Sequence, residues 1–202
     1  MPKFNGFSAQ QLTVVEKIYR ESRFVLERAV AAAGSDSWRK VFGLIMGSAN
    51  GAALKDAERV LEESIKVMHM RIGGQSFDVS YEASFGANTN ADMLSGRFTQ
   101  SGGAAADHTS FIDGLRQDDP TLARLPMRLG PNFFTMPDRD LFGQSKVETF
   151  LHELSHHAVG TIDDKLGGEC YGWTGVNRLK GLGPTRAVRN AENVGFFLTW
   201  VG

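Results

Sequence analysis

The run Leu151-His152-Glu153-Leu154-Ser155-His156-His157 places two imidazoles four residues apart, with a carboxylate beside the first. On a helix that spacing puts His152 and His156 on one face. Two neutral imidazoles so placed can hold one Zn2+, and Glu153 between them can act as base on the metal-bound water. A catalytic zinc takes three protein ligands and keeps one position open. No histidine follows His157, and His69 and His108 lie upstream in unrelated segments. Asp163, Asp164 and Glu169 are the nearest downstream candidates for the third ligand. Gly160-Thr161 is a turn able to bring Asp163 back under the helix end. A pattern with so few fixed letters recurs by chance, so the surrounding elements have to support it.

They do. Ser145-x-x-Glu148 has the form of a capping box, and Val147, Leu151, Leu154 and Ala158 recur along one face. Gly160 stands where a helix-ending glycine belongs. The N-terminal third reads as helical scaffold. Ser8-x-x-Gln11 opens a helix carrying Leu12, Val15, Tyr19, Leu26 and Val30, which Gly34 closes. A short helix bears Trp38, Val41 and Phe42, and a third spans about 51–71 before Gly73-Gly74. Residues 76–81 alternate like a strand, and residues 127–134 read as a second strand broken at Gly130-Pro131. Residues 84–125 are polar and irregular, as in a long loop. A final helix starts near Pro184 and buries Ala187, Val188, Ala191, Val194 and Leu198. No repeat or low-complexity linker divides the chain. The expectation is one α+β, mainly helical domain over 1–202, with a helical lobe over 1–74 and a small sheet plus the site over 75–202.

Bulk composition narrows the function classes. The formal net charge is −1, so no basic excess points to nucleic acid. Cys170 is the sole cysteine, which rules out an intrachain disulfide and a cysteine-based zinc site. The N-terminus lacks the apolar stretch of a Sec-type signal peptide, and no apolar run reaches membrane-span length. The expected location is cytoplasmic, or outside the cell by a signal-independent secretion system.

His152-Glu153-Leu154-Ser155-His156, then Gly160-Thr161-Ile162-Asp163, then Tyr171-Gly172, resemble the aspzincin metallopeptidases, the deuterolysin and peptidyl-lysine metalloendopeptidase group. The apolar stretch ending in Phe133-Phe134 and the run Asn190-Ala191-Glu192-Asn193 extend the resemblance over 126–202. It implies a zincin-like fold and a zinc-dependent endopeptidase acting on proteins or peptides. It implies His152, His156 and Asp163 as zinc ligands, Glu153 as general base and Tyr171 as hydroxyl donor to the developing oxyanion. Gly160 and Thr161 would shape the turn, with Thr161 and Glu192 next to substrate. Asp164 is the rival ligand if the turn shifts by one residue. His157 points off the ligand face.

Two departures set expectations of their own. In this family the tyrosine follows the ligand aspartate closely, whereas here Asp164 to Cys170 intervene. Lysine-specific members use acids near Glu192 and position 195, which is glycine here, so strict lysine specificity is not expected. Bacterial members of the family include secretion-system effectors. The alternative function is an effector module that keeps the metal, has lost turnover and grips a protein partner; a displaced Tyr171 would favour it.

Overall fold

Local signals start the first two helices of the computed structural model, which describes residues 2–74, 78–86, 89–93, 127–165 and 168–202. Helix α1 (Ala9–Ala32) opens on a complete capping box. The Gln11 amide donates to Ser8 Oγ at 3.3 Å, and the Ser8 amide donates to Gln11 Oε1 at 2.9 Å. Helix α2 (Asp36–Ile45) is capped by Ser35, whose hydroxyl accepts from the Trp38 amide. Helix α3 spans Ala52–Gly73. The remaining helices are α4 (Lys146–Val159), α5 (Gly172–Gly181), α6 (Pro184–Ala187) and α7 (Ala191–Val201).

Helix α4 is the centre of the packing. α1, α3 and α7 all lie against it. Leu26, Leu61, Leu151, Leu154, Val194 and Phe197 belong to one buried core. Trp38 stacks on Phe42 and meets Phe197 edge-on, both at 5.3 Å between centroids. Every residue of α4 except His156 is buried. A helix enclosed on every side has to satisfy its polar groups within the protein. The polar stripe of α4 therefore needs dedicated partners, and these form the site described below.

The sheet has the order β1-β2-β4-β3. β1 (Phe4–Asn5) and β2 (Val79–Tyr81) are parallel, as are β2 and β4 (Met127–Leu129). β3 (Ala91–Met93) runs antiparallel to β4 and forms the edge. The expected strand over 76–81 is present from Val79; residues 76–77 lie outside the described residues. The expected strand over 127–134 stops at Leu129. Pro131 lacks an N–H and fixes φ, and it opens a 3₁₀ turn (Pro131–Thr135) instead. β3 falls within the stretch expected to be loop. Residues 87–88 and 94–125 of that stretch, with Asp107 and His108, lie outside the described residues.

The expected single helix from Pro184 is broken. Residues 188–190 leave helical form so that Asn190 can bridge to Ile162. The Ile162 amide donates to the Arg189 carbonyl at 2.9 Å, and the Ala191 amide to the Ile162 carbonyl at 3.1 Å. Tertiary pairing with the turn after α4 overrides local helical preference here. Helix α5 was not expected from the sequence. The architecture is thus mainly helical with a small four-stranded sheet, and no described helix is long and apolar enough to cross a membrane.

Candidate metal centre

The site begins at the end of α4. Gly160 adopts the left-handed conformation, φ 68° and ψ 32°, which glycine enters without a Cβ penalty. Its amide donates to the His156 carbonyl at 3.1 Å, and the Thr161 amide to the Ser155 carbonyl at 3.4 Å. Below them the Thr161 and Ser155 hydroxyls are bonded at 2.6 Å. Ile162 then pairs with Asn190, and Asp163 is delivered beneath the two histidines.

His152 Nε2 and His156 Nε2 stand 3.1 Å apart. Asp163 Oδ1 lies 3.2 Å from the first and 3.5 Å from the second. Ligands about 2.0–2.1 Å from a tetrahedral zinc stand roughly 3.3 Å from one another. The observed triangle brackets that edge. The other nitrogen of each ring is already engaged. His156 Nδ1 faces the Thr161 carbonyl at 2.7 Å, and His152 Nδ1 faces Glu192 Oε2 at 2.9 Å. Both partners can only accept, so both Nδ1 atoms carry protons. In the neutral rings the Nε2 lone pairs then point at each other and at a carboxylate. Asp163 Oδ1 is buried without a correctly aligned hydrogen bond. Three acceptors converging on one point with no donor among them fit a divalent cation.

Without a cation, the same convergence favours protonation of the His152 ring. Burial alone would raise the Asp163 carboxyl, but the two imidazoles hold it far below the usual carboxylate range. Burial pushes His152 down, but Asp163 and Glu192 outweigh it and raise the ring well above its ordinary value. Glu153 follows His152 on α4 and lines the same cleft, of about 430 Å³. Burial raises its carboxyl.

Tyr171 reaches the centre in spite of the insertion. Its hydroxyl donates to Asp163 Oδ2 at 2.8 Å. Burial and the Asp163 charge raise the phenol far above its usual value, so it stays a proton donor. The two ends of the segment Asp164–Cys170 are held together. Arg178 on α5 donates from Nε to the Glu169 carbonyl at 2.7 Å and from Nη2 to the Asp164 carbonyl at 2.6 Å. Glu169 Oε1 accepts the Cys170 and Tyr171 amides at 2.9 and 3.1 Å. Glu169 thus shapes the loop and stays outside the metal cluster.

Asp164, the rival ligand, is turned away. Its carboxylate pairs with Arg186 and its amide donates to Asn190 Oδ1 at 3.0 Å. Thr161 is 1% exposed, bonds to the Ser155 hydroxyl and is not among the residues lining the cleft. Glu192 lines the cleft, but both of its oxygens are bonded within the chain, to His152 Nδ1 and to the Gly172 amide. Phe133 is fully buried, and Phe134 packs on Phe7 and Tyr81; neither borders the cleft. Cys170 and His157 are buried outside the metal cluster.

Glu148 departs furthest from its expected part. Its amide completes the Ser145 cap at 3.3 Å, but its side chain turns inward. Both carboxyl oxygens are buried without a hydrogen bond. A Cβ at position 195 would stand 2.5 Å from Glu148 Oε1, so glycine there makes the room. Glu148 lies four residues before His152, which puts it on the ligand face of α4. That spacing was the signal in the sequence, and the capping reading hid it.

Burial first, and then the neighbouring Glu192 charge, push the Glu148 carboxyl well above its ordinary range. A raised carboxyl stabilises the fold fully below its unfolded-state pKa, and that contribution is lost as pH rises through the folded-state value. Glu148→Gln should therefore match wild type near pH 4. It should be more stable than wild type at neutral pH, by on the order of 1–3 kcal/mol. Urea denaturation of the chelator-treated proteins across that range checks this.

No protein-family model matches the sequence, and no curated protein matches it. Among solved structures the fold is that of a zinc peptidase. The structure is similar to that of a zinc peptidase from Grifola frondosa, with a TM-score of 0.69 over 96% of each chain and 16% sequence identity. At that identity the likeness concerns the fold. The site geometry stands on this chain's own residues.

Proposed function

We propose that this protein is a zinc-dependent metallopeptidase cutting peptide bonds within protein or peptide chains. The observation that carries the reading is the triangle of His152 Nε2, His156 Nε2 and Asp163 Oδ1, spaced for a tetrahedral cation, with Glu153 and Tyr171 in the same cleft. The shared fold with a zinc peptidase supports it. Those three side chains would hold Zn2+. Bound there, zinc would supply Lewis-acid polarisation of the scissile carbonyl and of the attacking water.

The chain's own groups do the rest. Glu153 takes the proton of the attacking water and passes it to the leaving amine. Burial raises its carboxyl, which makes it a stronger proton acceptor than an ordinary carboxylate. Tyr171 shifts its hydroxyl from Asp163 Oδ2 to the carbonyl oxygen as negative charge develops there. Among the described residues β3 is an edge strand bordering the cleft, and its outer backbone groups can pair with an extended substrate chain.

The test is metal content together with turnover. Protein purified with zinc should carry one equivalent by elemental analysis and cleave a denatured protein substrate. Chelation should abolish cleavage, and added Zn2+ should restore it. Full zinc occupancy without cleavage would overturn the peptidase reading in favour of a binding module, and no zinc uptake would overturn both.

A further inference from the structure

We propose that Glu192 is a positioning residue that fixes, with one carboxylate, both the His152 imidazole and the backbone that presents Tyr171. This rests on the metallopeptidase reading for its consequence and on geometry for its substance. Glu192 is 1% exposed in the first turn of α7, where the helix N-terminus offsets part of the cost of burying a charge. Oε2 lies 2.9 Å from His152 Nδ1, and Oε1 accepts the amide of Gly172.

Each bond has a separate effect. A carboxylate only accepts, so the first bond holds the His152 proton on Nδ1 and aims Nε2 at Asp163 and His156. A ligand imidazole locked in this way binds metal better than one free to rotate. The second bond seizes the chain one residue after Tyr171, where Gly172 turns with φ 62° into α5. The tyrosine ring is thereby set 6.2 Å from the His152 ring, at an interplanar angle of 30°. Ligand and hydroxyl donor come from segments 19 residues apart in sequence (171 − 152) and share one anchor. Each Glu192 oxygen accepts one bond from within the protein.

Glu192→Gln keeps shape and volume but offers one acceptor and one donor to two N–H groups, so one bond must fail. Two readouts follow. Zinc affinity, measured by competition with a chromogenic chelator, should fall about 10–100-fold while the thermal transition stays cooperative. Proton–nitrogen spectra should show a slowly exchanging His152 Nδ1 proton and a protected Gly172 amide in wild type, with at least one of them lost in the variant. A folded variant with wild-type zinc affinity and both protons protected would overturn the proposal. If the variant does not fold, the wild-type spectrum still decides, because absence of a protected Nδ1 proton overturns it alone. Both protons are readable with or without metal. A wild-type protein that binds no zinc would sink the metallopeptidase reading and leave the two Glu192 bonds separately tested.

Discussion

Asp163→Ala should lower zinc affinity by about 10²–10³-fold, and Asp164→Ala should leave it close to wild type. The magnitude comes from sharing an apparent binding free energy of roughly 10–16 kcal/mol among four ligands, about 2.5–4 kcal/mol each. The direction comes from the turn after α4. Asp163 Oδ1 completes the triangle with both histidines, whereas the Asp164 carboxylate faces Arg186. Asp164→Ala should instead cost stability, about 1–2 kcal/mol, since it breaks a pair whose arginine side is partly solvated. Chelator competition reads the first effect and urea denaturation the second. The reverse pattern, metal lost with Asp164 and kept without Asp163, would refute the ligand assignment. Wild-type affinity should also fall on acidification, beginning above the ordinary imidazole range, because His152 holds its proton tightly in the metal-free centre and must lose it to bind.

Glu153→Gln should keep full zinc occupancy and lose about 10²–10⁴-fold in kcat. Glu153 is not one of the three clustered ligands, so replacing its carboxylate with an amide leaves that triangle intact. The amide cannot accept a proton from water. Asp92, which also borders the cleft, is paired with Arg128, and Asp163 is committed to the histidines. KM should change little, because the substitution alters neither the charge of the ligands nor the edge of β3. Cleavage at the wild-type rate by a zinc-loaded variant would remove Glu153 from the chemistry.

The two helix ends around the centre were legible because their determinants are local. The Ser145 cap, the apolar positions of α4 and Gly160 lie within one segment, and each acts on its immediate neighbours. The choice between Asp163 and Asp164 was not legible from spacing. It depends on Asn190 pairing with Ile162 and holding the Asp164 amide, contacts that span 28 and 26 residues (190 − 162 and 190 − 164). The same pairing interrupts the C-terminal helix, where apolar periodicity runs on without a break. β1 and β3 are two and three residues long, too short for alternation to register. Glu148 was misread because one residue can satisfy a local rule with its amide and a distant one with its side chain.

The Arg178 clasp across the ends of the 164–170 segment separates two properties that are usually tied together, the length of a connection and the spacing of the groups it joins. Because the guanidinium gathers the Asp164 and Glu169 carbonyls, the Tyr171 hydroxyl meets Asp163 whatever path the chain takes between them. The stretch between the two anchored carbonyls is where a change of length leaves those ends fixed. It is a position where this protein can acquire a new surface, or accept a grafted peptide, without retuning its centre.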